Sequence, residues 1–225
     1  PTVTPTIIQG PPKGIGVPGI IGYLGDYSAK GPVKLSADIY VEIYDYYPFF
    51  GGDPIPVEET RKLVLELIDY DNPYTDPDTG YSWPWTSVLY PMGTLPERNS
   101  GWKRVSVTIA DPTATELPAG WTGFGGPEDP VTFNPQLPPD RTFADVLAGV
   151  DEIHFHTLEP GYFYGFSFHH RIRLDNISIV PFEDSCADPT VFVGGDGLVH
   201  GGANDGQAYN GVLLGTQGDV VIVGT

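Results

Sequence analysis

The chain has 225 residues, with 29 acidic and 11 basic side chains for a formal net charge of −18, and it carries 29 glycines, 24 prolines and one cysteine. That charge excludes a nucleic-acid phosphate partner, which needs clustered Lys and Arg to release counterions, and no apolar run is long enough to cross a membrane as a helix. Cys186 alone excludes an internal disulfide framework and a Cys-rich zinc site, and 40% hydrophobic with 12% aromatic content is too high for a disordered chain.

Residues 1–21 read as an extended arm. Pro1, Pro5, Pro11, Pro12 and Pro18 forbid a helix, and five glycines from Gly10 to Gly22 break any long strand. Ile7, Ile8, Ile15, Val17, Ile20 and Ile21 are too many apolar residues for a linker, so part of the arm is predicted to lie against a sheet. A surface poor in Lys and Arg and rich in Thr, Gly, Pro and Tyr, with no leader pattern at Pro1, predicts a mature secreted chain.

Residues 33–44 alternate strictly. Val33, Leu35, Ala37, Ile39, Val41 and Ile43 fall on one face, and Lys34, Ser36, Asp38, Tyr40, Glu42 and Tyr44 on the other, which predicts a half-buried antiparallel strand. Arg61 to Asp69, Thr86 to Tyr90 and Trp102 to Ile109 read as further strands, with Leu63, Leu65 and Leu67 on one face of the first. Thr142 to Val150 has the helical spacing Phe143, Val146, Leu147, Val150, with Thr142 as N-cap and Gly149 near the end. Glu152 to Thr157 and Phe166 to Val180 are two more strands. After Pro181 the chain turns glycine-rich, with short β-like runs at Thr190 to Val193, Val212 to Leu214 and Asp219 to Val223. The expected architecture is therefore all-β: an antiparallel sandwich over residues 22–181 with one short helix and long loops, followed by a Gly-rich, β-forming tail over 182–225.

Gly101-Trp102-Lys103-Arg104-Val105-Ser106-Val107, Gly120-Trp121, Phe143 to Val150, Glu152-Ile153-His154-Phe155 and Leu174-Asp175-Asn176-Ile177 follow one another in an order that resembles laminin domain IV-like and related galactose-binding-like jelly rolls of exported bacterial proteins. Gly22 to Tyr27 is similar to the start of that core. The resemblance covers roughly residues 22–180 and implies a jelly roll, a non-catalytic extracellular role and a structural calcium near the Leu-Asp-Asn strand, with Asp175 and either Asp26 or Asp38 as ligands. Such domains begin with one or two more strands than this chain shows, so a strand must come from residues 1–21, from the tail or from another molecule.

Several groups carry possible chemistry. Asp69, Asp71, Asp76 and Asp78 fall within ten residues, with Asn72 and Gly80, and suit calcium or a solvated Asx turn. His154 and His156 share a strand face; with His169 they could make a three-His zinc site, but Arg171 and Arg173 alongside His169 favour an ordinary polar face. Tyr46 and Tyr47, and Tyr81, Trp83 and Trp85, sit in long loops as candidate sugar-binding aromatics, loop-packing rings or interface residues. No Gly-x-Ser-x-Gly, phosphate loop or His-Glu-x-x-His is present, so no catalytic residue is assigned. Asn176-Ile177-Ser178 is a glycosylation sequon inside a predicted strand.

Two functions follow as expectations. The first is a self-assembling extracellular filament or matrix protein whose partner is its own copy, joined head to tail by a strand donated through Val220, Val221, Ile222 and Val223 or through Ile7 and Ile8. The second is a carbohydrate-binding module that holds polysaccharide on its aromatic loops with calcium in support.

Overall fold

A computed structural model describes residues 6–9, 22–46, 52–56, 61–160, 168–182, 192–193 and 199–200. The chain divides into two units, Pro1–Phe182 and Glu183–Thr225. In the second, β10 (Phe192–Val193) and β11 (Val199–His200) pair antiparallel; Val212 to Leu214 and Asp219 to Val223 lie outside the described residues.

The first unit is mostly β. Its elements are β1 (Thr6–Gln9), α1 (Tyr27–Lys30), β2 (Val33–Tyr46), β3 (Ile55–Pro56), β4 (Lys62–Asp69), β5 (Thr86–Thr94), β6 (Lys103–Ile109), β7 (Thr122–Phe124), α2 (Phe143–Leu147), β8 (Glu152–His156) and β9 (Phe168–Pro181). One antiparallel sheet runs β1-β8-β4-β5-β7. In the other, β2 is central, with β9 along one side and β6 and β3 along the opposite side. Leu63, Leu65, Leu67, Val88, Ile153 and Phe155 of the first sheet join Val33, Leu35, Ala37, Ile39, Val41, Val105, Val107 and Ile109 of the second in one buried core. Each buried Val, Leu, Ile or Phe side chain contributes about 1.5–3 kcal/mol by leaving water.

The alternation in β2 does not run through to Tyr44 as the sequence suggests. Val41 faces Ile172 and Ile43 faces Arg171, so Glu42 is an inserted residue, a β-bulge. Beyond it the faces exchange: Tyr44 is buried and Ile43 is half-exposed. A second irregularity lies between Ser36 and Asp38, where β9 carries the extra residue. Asn176 takes a left-handed φ of 48° there, and the inward set on β9 changes from Ile172 and Leu174 to Ile177 and Ile179.

The arm does reach a sheet. Thr6, Ile7, Ile8 and Gln9 of β1 pair with Phe155, His154, Ile153 and Glu152 of β8. The arm thus adds an edge strand to this sheet from within the chain itself. α2 begins as its sequence predicts: the Thr142 hydroxyl accepts from Asp145 N while the Asp145 carboxylate accepts from Thr142 N, a complete capping box. Val150 then joins Gly25 through a 2.7 Å backbone bond. α1 was not expected; Asp26 caps it. β4 is buried on both faces, because Val64, Glu66 and Ile68 are as covered as the three leucines. Among the described residues no helix is long and apolar enough to cross a membrane.

Candidate functional site

The end of β4 gathers three carboxylates. Asp151 N donates to Ile68 O at 2.7 Å, Tyr70 N donates to Asp151 Oδ2 at 2.9 Å, and Asp71 N donates to Asp69 Oδ1 at 2.9 Å. These bonds fold the β4 exit against the β8 entrance. Oxygens of Asp69, Asp71 and Asp151 then lie within 4.8 Å of one another. Asp69 is buried, Asp71 exposed and Asp151 in between. Burial pushes the Asp69 carboxyl above its ordinary range; the Asp71 N–H and Asn72 oppose this, and the Asp151 charge adds to it. A hard divalent cation takes oxygen ligands of this kind. Calcium would bridge the three groups and relieve their repulsion.

Asp76 and Asp78 do not join that group. Asp76 shapes a hairpin: its Oδ1 accepts from Asp78 N at 2.9 Å and its Oδ2 from the Thr79 hydroxyl at 2.5 Å. Asp76 N bonds Tyr81 O, and Trp83 N bonds Tyr74 O. The hairpin brings three rings together. Tyr81 stands edge-on to Trp83 at 4.7 Å between centroids, and Tyr74 lies tilted against Trp83 at 5.7 Å. Tyr81 is 59% exposed, while Tyr74 and Trp83 are half-buried.

Trp85 belongs elsewhere. Its ring meets Tyr70 and Phe124, each at 5.9 Å, and its indole N–H donates to Glu66 Oε1 at 3.4 Å. Glu66 is the centre of a network on the outer face of the β8-β4-β5 strands. Ser87 Oγ donates to Oε1 at 2.6 Å, while His156 Nε2 and His154 Nδ1 lie 3.4 and 3.7 Å from Oε2. His154 Nε2 contacts Glu152 Oε2 at 2.9 Å, and the Tyr70 hydroxyl donates to that same oxygen at 3.0 Å. Burial disfavours the Glu66 charge, but the bonds from His156 and Ser87 and the two imidazoles outweigh it and hold the carboxyl below its ordinary range.

The three-His grouping is not formed. β9 pairs with β2, so His169 lies opposite Asp45 in the other sheet, and Arg171 and Arg173 bind Glu42 there. The partner that β8 places beside His154 and His156 is Glu66 of β4. Nor does Asp26 meet Asp175: Asp26 Oδ1 accepts from Ser28 N and Ala29 N as a cap. Asp175 sits exposed on β9, and Asp38 opposite it is bound by Arg104 at 3.1 Å and by Asn176 Nδ2 at 2.7 Å. Tyr46 ends β2, and its side chain, like Tyr47 and Val220 to Val223, lies outside the described residues.

Asp151, Glu152 and Glu66 were not singled out by sequence. Glu66 did leave a signal, a carboxylate in the middle of Leu63-Val64-Leu65-Glu66-Leu67-Ile68. Comparison with protein-family models, curated proteins and solved structures finds no match.

Proposed function

We propose that this chain is an exported, non-catalytic carbohydrate-binding module with jelly-roll connectivity. It takes polysaccharide on the Tyr74-Tyr81-Trp83 corner, with calcium held by Asp69, Asp71 and Asp151. The observation that carries this reading is the cluster of Tyr74, Tyr81 and Trp83 rings, with Tyr81 exposed, on the hairpin that follows Asp69 and Asp71 in the chain. Aromatic faces accept the C–H face of a sugar, and exposed aromatic clusters of this kind mark binding sites. A cation at Asp69 and Asp71 would stiffen the hairpin and so pre-organise the rings. The test is affinity electrophoresis through polysaccharide gels, with calcium and with a chelator. Retardation by at least one neutral polysaccharide, weakened in chelator and in Trp83→Ala, is the expected result. Unretarded migration across a broad polysaccharide set overturns the reading.

A second reading is self-assembly into an extracellular filament. The 14-residue strand β9 is favourable to it, because β2 is its one ladder partner among the described residues. The Asp219 to Val223 run of another copy would add as a strand along that edge. Val221→Pro removes a backbone donor from the added strand. Fibres visible by electron microscopy for the parent protein and absent for Val221→Pro support this; single particles from the parent, or fibres from both, remove it.

A further inference from the structure

Thr86, the first residue of β5, is fully buried, and among the described residues its hydroxyl has no hydrogen-bond partner. Buried hydroxyls are ordinarily paired, because leaving water without a compensating bond is costly. What Thr86 faces follows from the ladder. It stands opposite Asp69, and the next pair on that face is Leu67 with Val88, both in the core. Side chains directly opposed in this way share a face, with Cβ atoms about 4.5–5.5 Å apart. The methyl branch of Thr86 occupies the β7 side, where a Cβ on Gly125 would come within 3.0 Å of it. The hydroxyl and the Asp69 carboxylate, itself 1% exposed, therefore line the same end of the core from adjacent strands, yet no bond joins them.

A hydroxyl beside a carboxylate can donate to it, and here it does not. A cation accounts for this, since it takes lone pairs from hydroxyl and carboxylate alike. A trapped water would also satisfy the hydroxyl. It would leave uncompensated the charges of Asp69, Asp71 and Asp151, whose oxygens lie within 4.8 Å of one another. Asp69 ends β4, Thr86 begins β5 and Asp151 precedes β8. The segment between Asp69 and Thr86 carries Tyr74, Tyr81 and Trp83.

We propose that Thr86 Oγ1 is a fourth protein ligand of the calcium ion at Asp69, Asp71 and Asp151, so that a single ion ties β4, β5 and β8 together and fixes both ends of the ring-bearing segment. This assignment rests on the calcium part of the carbohydrate reading above and on none of its rings. The remaining coordination positions fall to second carboxylate oxygens and to water on the exposed Asp71 side.

The test is calorimetric titration of the full chain with calcium chloride, alongside thermal unfolding in chelator. Thr86→Val removes the hydroxyl and keeps the branched shape; Thr86→Ser keeps the hydroxyl. Thr86→Val is expected to bind calcium about tenfold more weakly than the parent, and Thr86→Ser within about twofold of it. In chelator, Thr86→Val is expected to unfold at or above the parent's midpoint, because it loses a hydroxyl that had no partner. A lower midpoint there would show the hydroxyl to be held by a structural bond or a water, and overturns the assignment. Unchanged calcium affinity in Thr86→Val, or equal weakening in Thr86→Val and Thr86→Ser, also overturns it while leaving calcium at the three carboxylates. A parent that binds no calcium removes the assignment and the calcium part of the reading together, and polysaccharide retardation in chelator then judges the rings alone. Weakened calcium binding in Thr86→Val, with no retardation of the parent by any polysaccharide, keeps the ion and its fourth ligand and removes the carbohydrate reading.

Discussion

His156 presents Nε2 to Glu66 Oε2 at 3.4 Å across the β4–β8 ladder, and its other nitrogen fixes which proton it offers. Nδ1 accepts the Leu158 N–H at 3.1 Å, so Nε2 carries the hydrogen and donates toward the carboxylate. A metal at Nε2 would need the hydrogen on Nδ1, where it would oppose the Leu158 N–H. Ser87 and Trp85 complete the set of donors on Glu66. The outer face of the sheet is therefore held by a satisfied carboxylate rather than by a metal.

Glu66→Ala is expected to destabilise the fold by about 1–3 kcal/mol for each buried donor left without an acceptor, read by urea unfolding at neutral pH. Because the folded-state value of Glu66 lies below its ordinary 4.5, the stability it supplies is complete above that value and is lost as pH falls through the folded one. Glu66→Gln should flatten that part of the pH–stability curve. An unchanged acid limb in Glu66→Gln would contradict the linkage.

Asp69 has the opposite sign. Its folded-state value lies above the ordinary 3.8, so its ionisation reduces stability as pH rises from there through the folded value. In chelator, Asp69→Asn should raise the thermal midpoint at neutral pH. With calcium at a hundred times its Kd, the parent should gain about 2.7 kcal/mol. Asp69→Asn and Asp71→Asn should lose that gain, while Asp78→Asn keeps it. Calorimetry with calcium and with chelator reads all four proteins.

Trp83→Ala and Trp85→Ala should separate. The first removes a half-buried ring that packs only on Tyr74 and Tyr81 of its own hairpin among the ring contacts, and is expected to reduce polysaccharide affinity at least about tenfold with the thermal midpoint little changed. The second removes a ring wedged between Tyr70 and Phe124 and a donor to Glu66, so its main effect is on stability. Paired measurements of gel retardation and thermal midpoint decide this; a large midpoint loss in Trp83→Ala would show that ring to be structural.

Gly125 marks a close crossing. Its φ is 113°, and a Cβ there would come within 2.6 Å of Trp85 O and 2.9 Å of Thr86 Cα. Gly125→Ala is expected to destabilise by about 1–3 kcal/mol, through strain and displacement of the β7 exit from β5. Chemical denaturation against Gly80→Ala checks the claim, since Gly80 also has a positive φ but open space around its Cβ position.

Much of the sandwich was written in local patterns. Alternation marked β2, β4 and β6, and Thr142 with the Phe143, Val146, Leu147 spacing marked α2, because each depends on residues close in sequence. The three-residue β7 and two-residue β3 carry too little periodicity to stand out. Asp69 and Asp71 were visible as an acidic loop, but Asp151 comes from a strand entrance 81 positions beyond Tyr70, to which it bonds. His169 was assigned beside His154 because its strand follows β8 in the chain. Crossing from one sheet to the other between consecutive strands leaves no mark in hydrophobic spacing.

The Glu42 bulge has a consequence for how relatives of this chain could be recognised. Up to Val41 the buried apolar positions of β2 are odd-numbered, and past the bulge Tyr44 is buried in place of Ile43. A chain sharing this architecture would show the same slip in phase at this point even if no side chain were conserved. A gap placed opposite Glu42 would align this chain with one whose strand lacks the bulge. The slip is a signature made of position rather than identity.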